Sequence, residues 1–265
     1  MIVDLEAIAK IAQEAEVPLI VDNTMATPWL CRPFEWGADL VVHSTTKFLS
    51  GQGNAMGGIV IDSGRFPWFG NAKYPSLSEP CPDYNGLTFA ETFGDMAFTL
   101  YSHAVSLRDL GCTQSPMNAW ITLNGVETLP LRMERHVENA QKVAGFLQQH
   151  PSVEWVSYAG LSSSPYYQLA QKYLQGKAGS VFTFGIRGGY ESGLCLLEKV
   201  ELFSHVSNIG DSRSLILHPA STTHRQLSDE QRLTAGAGPE VIRLSVGIES
   251  AEDLIADLEQ ALEGL

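Results

Sequence analysis

The sequence predicts an α/β fold, because short apolar runs alternate with helical patterns along its first half. Two runs carry this prediction, Val17–Val21 and Ala38–Val42, and a third, Ile59–Ile61, follows a cluster of glycines. Apolar runs of this length between helices are typical of parallel strands that are buried on both faces. The second half mixes strand and helix patterns, which predicts a smaller α+β domain.

Composition narrows the classes of partner. The chain has 265 residues, with 17 Lys and Arg against 30 Asp and Glu, a net charge of −13. This balance argues against nucleic acid or an anionic membrane as the main partner, since both require basic patches. There is no apolar run of the roughly 18 residues that a membrane-spanning helix needs. The cysteines are few and widely spaced, so we expect a reducing, cytoplasmic location and no disulfide framework. No histidine or cysteine spacing is typical of a metal site, and we expect none.

The elements of the first half can be assigned in order. Apolar residues at helical spacing predict a helix from about Asp4 to Glu16, which precedes the first apolar run. The segment 64–95 places aromatic residues among prolines and glycines, which predicts an ordered loop. Ser115 and Pro116 are typical of a helix start, and the helical pattern continues to about His150 with an interruption at Pro130. We therefore divide the chain into domains at residues 1–130 and 131–265.

The second half predicts five strands: Val153–Val156, Ser180–Ile186, Leu202–Val206, Ser214–His218 and Val241–Val246. Helices are expected after Ser164, over about Tyr190–Lys199, after Ser228 and from Ser250 to the end of the chain. The last helix is acidic, and we interpret its carboxylates as a solvated face: Glu249, Glu252, Asp253, Asp257, Glu259 and Glu263.

Candidate functional residues follow two neighbouring strands. Asp22 ends the first apolar run, and Ser44, Thr46 and Lys47 follow the second. Ligands collect at the carboxyl ends of parallel strands. A lysine amine, a carboxylate and several hydroxyls are what pyridoxal phosphate requires of a protein, to hold its aldehyde, its ring nitrogen and its phosphate. The simpler alternatives are a turn aspartate and a surface lysine. The glycines after Lys47 do not form G-x-G-x-x-G, so a dinucleotide site is not predicted.

Arg243 lies within the apolar strand Val241–Val246. A guanidinium in such a strand needs an anionic partner, and a carboxylate suits its two-pronged geometry. The alternative is a structural salt bridge.

Several motifs carry a resemblance to a known family. The sequence resembles the Cys/Met-metabolism family of pyridoxal-phosphate enzymes in V-D-N-T (21–24), A-D-L-V-V-H-S-T-T-K (38–47) and G-G-I-V (57–60). Four further stretches resemble its O-acetylhomoserine sulfhydrylase branch: E-P-C-P-D-Y-N-G-L (79–87), L-R-M-E-R-H-V-E-N-A (131–140), S-L-I-L-H-P-A-S-T-T-H-R-Q-L (214–227) and I-R-L-S-V-G-I-E (242–249). The aromatic segment 64–95 also favours this branch.

The resemblance implies a fold and a set of residue roles. The fold is aspartate-aminotransferase-like (fold type I), represented here by part of the large sheet domain and a smaller C-terminal domain. Lys47 would be the catalytic residue and would hold the cofactor as a Schiff base. The cofactor-binding residues would be Asp22 at the ring nitrogen, Thr24 against the ring, and Ser44 and Thr46 at the phosphate. The substrate-binding residues would be Arg243, Ser207 and Asn208. We expect His43, His218 and His224 to be packed histidines without chemistry.

The implied reaction is γ-replacement on O-acetyl-L-homoserine, in which sulfide or methanethiol replaces acetate and gives homocysteine or methionine. The alternatives within the family are O-succinylhomoserine sulfhydrylase, cystathionine γ-synthase and methionine γ-lyase. The family also implies a homo-oligomer, a dimer of dimers. Its members have further sequence before the counterpart of Met1, so we expect this chain to be a C-terminal portion. A catalytically inactive fragment is therefore the alternative of another class.

Overall fold

The computed structural model describes all residues from 1 to 265, and it contains two β-sheets surrounded by helices. The first sheet has the order β1-β2-β3, with β1 at Ile20–Asp22, β2 at Leu40–Ser44 and β3 at Gly58–Asp62. The second sheet has the order β4-β5-β8-β7-β6. Its strands are β4 (Val153–Ser157), β5 (Val181–Ile186), β6 (Ser204–His205), β7 (Leu215–Leu217) and β8 (Val241–Ser245).

Eleven α-helices connect and cover the sheets. In the first half they are α1 (Leu5–Glu14), α2 (Thr27–Leu30), α3 (Pro75–Ser78), α4 (Phe89–Phe93), α5 (Ala97–Tyr101) and α6 (Pro116–Glu127). In the second half they are α7 (Leu129–Gln149), α8 (Tyr167–Tyr173), α9 (Gly189–Lys199), α10 (Asp229–Thr234) and α11 (Ala251–Leu262). No helix combines the length and the apolar character that crossing a membrane requires.

The helix starts predicted from local sequence are confirmed. Asp4 caps α1 by accepting a hydrogen bond from the backbone N–H of Ala7. Ser115 caps α6 in the same way, with Pro116 at the first helical position. Ser228 forms a capping box with Gln231, and Ser250 caps α11. Each cap satisfies backbone N–H groups that have no partner inside the helix.

The first sheet departs from the prediction of buried parallel strands. β1 and β2 are parallel, with Asp22 opposite Val42, but β3 runs antiparallel to β2. A parallel neighbour needs a long crossover, usually a helix. The connection between β2 and β3 contains only one helical turn and a loop that reverses the chain. Nor are the strands buried on both faces, because Ile20, Ile59 and Val60 are exposed in the edge strands.

The second sheet supplies the main core. Twenty buried residues from its strands and from α7, α9 and α11 form one apolar cluster, with Phe184, Ile216 and Leu244 fully buried. The predicted strand Leu202–Val206 shortens to β6, because Leu202 and Val206 are exposed. The mixed parallel and antiparallel pairing agrees with the predicted α+β half.

The prediction that the acidic residues of the last helix form a solvated face is wrong for two of them. Asp257 is buried and accepts hydrogen bonds from the backbone N–H groups of Glu201, Leu202 and Phe203 at 2.8, 2.9 and 3.1 Å. Glu249, just before the helix, accepts from the backbone and the hydroxyl of Ser214. Both carboxylates are buried or half-buried because they satisfy loop donors that have no other partner.

The aromatic segment packs as an ordered unit, as predicted. Phe66, Trp68, Leu77 and Phe89 form the buried centre of a second apolar cluster. Trp68 stacks on Phe98 with ring centroids 5.7 Å apart. The contact with Phe98 anchors the segment on α5.

Three polar side chains on one face of α7 connect distant parts of the chain, and we name them the polar row: Arg132, His136 and Asn139. Arg132 donates to the carbonyl of Phe48 at 2.8 Å. The Nδ1 atom of His136 lies 2.7 Å from the carbonyl of Val246, and Asn139 donates to Gly247 and Glu249. Because a carbonyl only accepts, His136 carries its proton on Nδ1. The row therefore joins the chain after β2 to the chain after β8.

His136 makes the stability of the fold depend on pH. It is fully buried, and burial lowers its pKa from 6.5 to about 4. The unfolded chain therefore binds more protons than the folded chain between these values, and stability is lost as the pH falls through them. The loss attributable to this one group is up to about 3 kcal/mol.

We expect H136Q, whose amide can still donate to Val246, to flatten this dependence. The measurement is the free energy of unfolding in urea at pH 7 and at pH 4.5. The control is H103Q, which alters an exposed imidazole that makes no hydrogen bond within the chain. An H136Q chain that loses as much stability on acidification as the wild type would contradict the assignment.

Candidate active site

The first group of predicted site residues lies where β1 and β2 end. The hydroxyl of Thr24 donates to Oδ1 of Asp22 at 2.6 Å and accepts from the backbone N–H of Ser44 at 2.8 Å. One side chain therefore links the ends of both strands. Asp22, Thr24 and Ser44 are brought together, at the sheet edge where the sequence predicts a ligand.

The carboxylate of Asp22 has one free oxygen. Its Oδ1 atom accepts from the backbone N–H and the hydroxyl of Thr24, while Oδ2 has no hydrogen-bond partner in the chain. The neighbouring His43 is buried, and its Nδ1 atom has no partner either. Burial lowers the pKa of His43, against the opposing effect of the Asp22 charge, so this imidazole is neutral. An N–H donor of a ligand could bind the free carboxylate oxygen.

Lys47 lies in a single wide helical turn, Thr45–Leu49, which we name the Lys47 segment. The backbone of Lys47 departs from helical geometry, with φ −92° and ψ −129°. Its Nζ atom donates to Oδ1 of Asn208, from the loop after β6. Burial lowers the pKa of Lys47 below its ordinary value, and the positive charge of Arg243 lowers it further. A lowered pKa increases the share of neutral, nucleophilic amine.

Arg243 reaches the same loop from β8. Its Nη2 atom donates to the carbonyl of Asn208 at 3.3 Å, and no ion pair of the chain includes it. Burial lowers its pKa, although the guanidinium remains charged. Within the chain, Arg243 therefore does not form the salt bridge that was the alternative from sequence, and its guanidinium has no carboxylate partner.

Asn208 therefore contacts both cations, with its side chain on Lys47 and its backbone on Arg243. The loop that carries it is pressed against the Lys47 segment. A Cβ atom added to Gly210 would lie 2.7 Å from the backbone nitrogen of Phe48, and Gly210 has φ +73°. Ser207 precedes Asn208, but its side chain is exposed and makes no hydrogen bond within the chain.

The hydroxyls predicted at a phosphate differ in their surroundings. Thr46 exchanges long hydrogen bonds with Gly57, with its Oγ1 atom 3.3 Å from the carbonyl and 3.2 Å from the backbone nitrogen. The hydroxyl of Ser44 makes no hydrogen bond with the chain. The hydroxyl of Thr45 is buried and also lacks a partner. Ser44 and Thr45 therefore keep hydroxyl donors available for an anion, whereas the hydroxyl of Thr46 donates to Gly57 through a long bond.

His218 and His224 both make hydrogen bonds within the chain. His218 is fully buried, with Nδ1 3.0 Å from the hydroxyl of Ser221 and Nε2 2.8 Å from the carbonyl of Pro239. His224 pairs with its neighbour Thr223. No cluster of histidine, cysteine or acidic side chains is arranged to hold a metal.

A cavity of about 300 Å³ reaches Asp22 but neither Lys47 nor Arg243. Mostly apolar side chains line it, together with Cys31. Burial, and to a lesser extent the charge of Glu35, raises the pKa of Cys31 to about 11. The thiol is therefore uncharged and is not an active nucleophile.

Sequence reasoning missed the groups that support Lys47. Arg132 donates to three carbonyls around the Lys47 segment, and Gly125 of α6 touches it directly. The sequence offered one signal for Arg132, its position next to the apolar residue Met133 in a helical pattern. The side-chain contact of Asn208 with Lys47 was also missed, because the family resemblance implied Asn208 only as a substrate-binding residue.

The fold is that of the fold type I α/β enzymes. It matches the crystal structure of a Campylobacter jejuni protein, described as an O-acetylhomoserine (thiol)-lyase with N'-pyridoxyl-lysine-5'-monophosphate, with a TM-score of 0.95 at 43% identity. The match covers 100% of this chain and 63% of the other.

The chain belongs to the Cys/Met metabolism PLP-dependent enzyme family, whose model matches residues 1–263. It is 51% identical to the O-acetyl-L-homoserine sulfhydrylase of Leptospira meyeri, over 99% of this chain and 61% of that protein. It is 50% identical to O-acetyl-L-homoserine sulfhydrylase 1 of Thermus thermophilus, over 98% and 62%. The predicted family resemblance is confirmed, and the chain spans about three fifths of the length of these relatives.

The proximity of Arg243 to Lys47 leads to a prediction on the lysine. Replacing the guanidinium with a neutral amide removes a like charge, so R243Q raises the pKa of Lys47 toward its ordinary value. Competitive acetylation across a pH series, with each lysine quantified by mass spectrometry, measures this pKa. R225Q, at an exposed arginine outside any ion pair, is the control and leaves the profile unchanged. An identical Lys47 profile in R243Q would show that the two groups do not interact.

The close approach of α6 leads to a second prediction. A Cβ atom on Gly125 would lie 2.3 Å from the carbonyl oxygen of Leu49 and 2.5 Å from that of Ser50. We expect G125A to lower the free energy of unfolding by about 1–3 kcal/mol, because the backbone must move. The matched control is G145A in α7, where no atom lies within 4 Å. There, alanine stabilises by up to about 1 kcal/mol. Equal effects in urea unfolding would refute the tight contact.

Proposed function

We propose that this chain carries the lysine-bearing and carboxylate-binding part of a pyridoxal-phosphate-dependent O-acetyl-L-homoserine sulfhydrylase. The reaction is γ-replacement, in which sulfide or methanethiol displaces acetate and gives homocysteine or methionine. The observation that carries the proposal is the contact of Asn208 with both Lys47 and Arg243. An amine nucleophile and an unpaired guanidinium are thereby held next to each other, as an amino-acid substrate requires. The names of the relatives support the acetyl ester.

The residues fit the chemistry of the cofactor. Lys47 offers an amine of lowered pKa for the aldehyde, and Asp22 offers a free carboxylate oxygen for the ring nitrogen. Ser44 and Thr46 would bind the phosphate, and the unpartnered hydroxyl of Thr45 agrees with an anion in this region. Thr24 would lie against the ring while it fixes Asp22.

When bound, pyridoxal phosphate supplies a protonated ring that accepts the electrons left on the substrate Cα after proton removal. Asp22 keeps the ring nitrogen protonated. Arg243, with Ser207 and Asn208, binds the α-carboxylate and so orients the Cα–H bond. The Nζ atom of Lys47 takes the Cα proton and carries it between substrate carbons, which requires the neutral amine that burial favours. Loss of a Cβ proton would then accompany the breaking of the Cγ–O bond, which releases acetate. The sulfur nucleophile would form a bond to Cγ, after which protons return to Cβ and Cα.

The proposal also covers the domains of the chain, its assembly and its location. Residues 1–130 are proposed as a partial large cofactor-binding domain and residues 131–265 as the small domain, since the boundary coincides with the start of α7. We also propose a homo-oligomer, a dimer of dimers, in the cytoplasm.

Covalent trapping of the cofactor tests the site. The purified chain is mixed with pyridoxal phosphate, reduced with borohydride and mapped by peptide mass spectrometry. The label is expected on Lys47, and it is absent in K47A. K142A, at an exposed lysine of α7, serves as the control and labels like the wild type. Specific labelling of a different lysine would overturn the assignment of Lys47.

The substrate is tested separately on the loaded chain. O-Acetylhomoserine with sulfide is expected to yield homocysteine faster than O-succinylhomoserine does, and cystathionine is expected not to be cleaved. Preference for the succinyl ester or for cystathionine would assign another branch of the family. Labelled Lys47 without turnover would support an inactive fragment.

A further inference from the structure

We propose that Arg132 is a positioning residue, which holds the Lys47 segment so that the amine of Lys47 reaches Asn208. Arg132 and Lys47 are far apart in the sequence, so no local structure links them. Arg132 contacts the Lys47 segment through backbone carbonyls and does not touch the Lys47 side chain. The inference rests on the proposed role of Lys47.

The hydrogen bonds of Arg132 all end on neutral groups around the Lys47 segment. Nη1 donates to the carbonyl of Phe48 at 2.8 Å, and Nη2 donates to those of Gly125 at 2.7 Å and Leu49 at 3.4 Å. Nε donates to the hydroxyl of Thr128 at 3.2 Å. No ion pair includes Arg132. A half-buried cation without a carboxylate is costly, so this arrangement needs a reason other than charge pairing.

The reason lies in the Lys47 segment itself. The last carbonyls of a helical turn lack N–H donors, and no backbone N–H reaches those of Phe48 or Leu49. A five-donor guanidinium can satisfy both while also binding α6. A lysine at position 132 would have one ammonium group for the same acceptors.

Two glycines make room for this arrangement. Gly51 has φ +80°, and a Cβ atom there would lie 2.4 Å from Nη1 of Arg132. A Cβ atom on Gly125 would lie 2.3 Å from the carbonyl oxygen of Leu49 and 2.5 Å from that of Ser50. The guanidinium, α6 and the end of the Lys47 segment are therefore packed without space for a further side chain.

The position of Phe48 determines where Lys47 can reach. The backbone nitrogen of Phe48 lies close to Gly210, two residues after Asn208. The backbone carbonyl of Phe48 accepts a hydrogen bond from Arg132. Its ring packs against the neutral His136 of the polar row at a centroid distance of 5.3 Å. If the carbonyl contact is lost, the turn can shift and Lys47 can leave Asn208 for solvent. The charged group that acts on the Lys47 amine is Arg243, from β8.

The test measures the pKa of Lys47 without any cofactor, by competitive acetylation of R132M and R132K across a pH series. In R132M we expect the pKa of Lys47 to rise, because the amine becomes more solvated. A rise of half a unit lowers the neutral fraction at a given pH roughly threefold. R132K keeps a positive charge at this position but cannot reach all the acceptors of the guanidinium, so we expect an intermediate rise in the pKa of Lys47. R135M is the matched control, because Arg135 is exposed on the same helix and makes no hydrogen bond.

Urea unfolding of each variant separates positioning from stability. A purely structural role would lower the free energy of unfolding and leave the Lys47 profile of the folded chain at its wild-type position, which would overturn the proposal. If R132M does not fold, R132K decides by the same criterion. The proposed function can fail independently. Absence of borohydride-trapped cofactor on wild-type Lys47, together with a raised pKa in the variants, would refute the cofactor site and retain the positioning role.

Discussion

The hydrogen bonds of the polar row on α7 are the interaction on which the candidate site depends. Arg132, His136 and Asn139 donate to backbone carbonyls of two segments, the Lys47 segment and the chain after β8. Arg132 also donates to the carbonyl of Gly125 and the hydroxyl of Thr128 in the neighbouring helices. Buried donors and acceptors must find partners, so each bond limits where those two segments can lie. Lys47 and Arg243 come from different sheets, and no strand pairing relates them. Their common contact with Asn208 is possible because α7 is hydrogen-bonded both to the chain after β2 and to the chain after β8.

The site is locally positive in an acidic chain. Lys47 and Arg243 influence each other through space, and neither forms an ion pair, although the chain carries a net charge of −13. Two unpaired cations in a partly desolvated place reduce stability unless an anion arrives. The dipoles of Asn208 offset part of this cost, through an amide oxygen for one cation and a carbonyl for the other. The arrangement therefore favours a ligand that brings a carboxylate and reacts with an amine.

The sequence predicted those features that depend on a few neighbouring residues. The caps at Asp4, Ser115 and Ser250 need only three or four residues, and the placement of Asp22 and Lys47 after strands needs only the apolar runs before them. The direction of β3 and the burial of Asp257 depend on residues far along the chain, so local patterns did not indicate them. The same holds for Arg132, whose acceptors lie more than eighty positions away in Phe48 and Leu49. The family resemblance supplied Arg243 and Asn208, but not the side-chain contact between Asn208 and Lys47.

The buried side-chain atoms that lack a hydrogen-bond partner are unevenly distributed along the chain. Four of the six buried side-chain atoms without a partner belong to His43, Thr45, His136 and Asn139. All four lie on β2, in the Lys47 segment or in the polar row. An unpaired buried polar atom costs about 1–3 kcal/mol, so these atoms reduce stability where α7 meets the chain after β2 and the chain after β8. The apolar core to which α7 contributes must offset that cost.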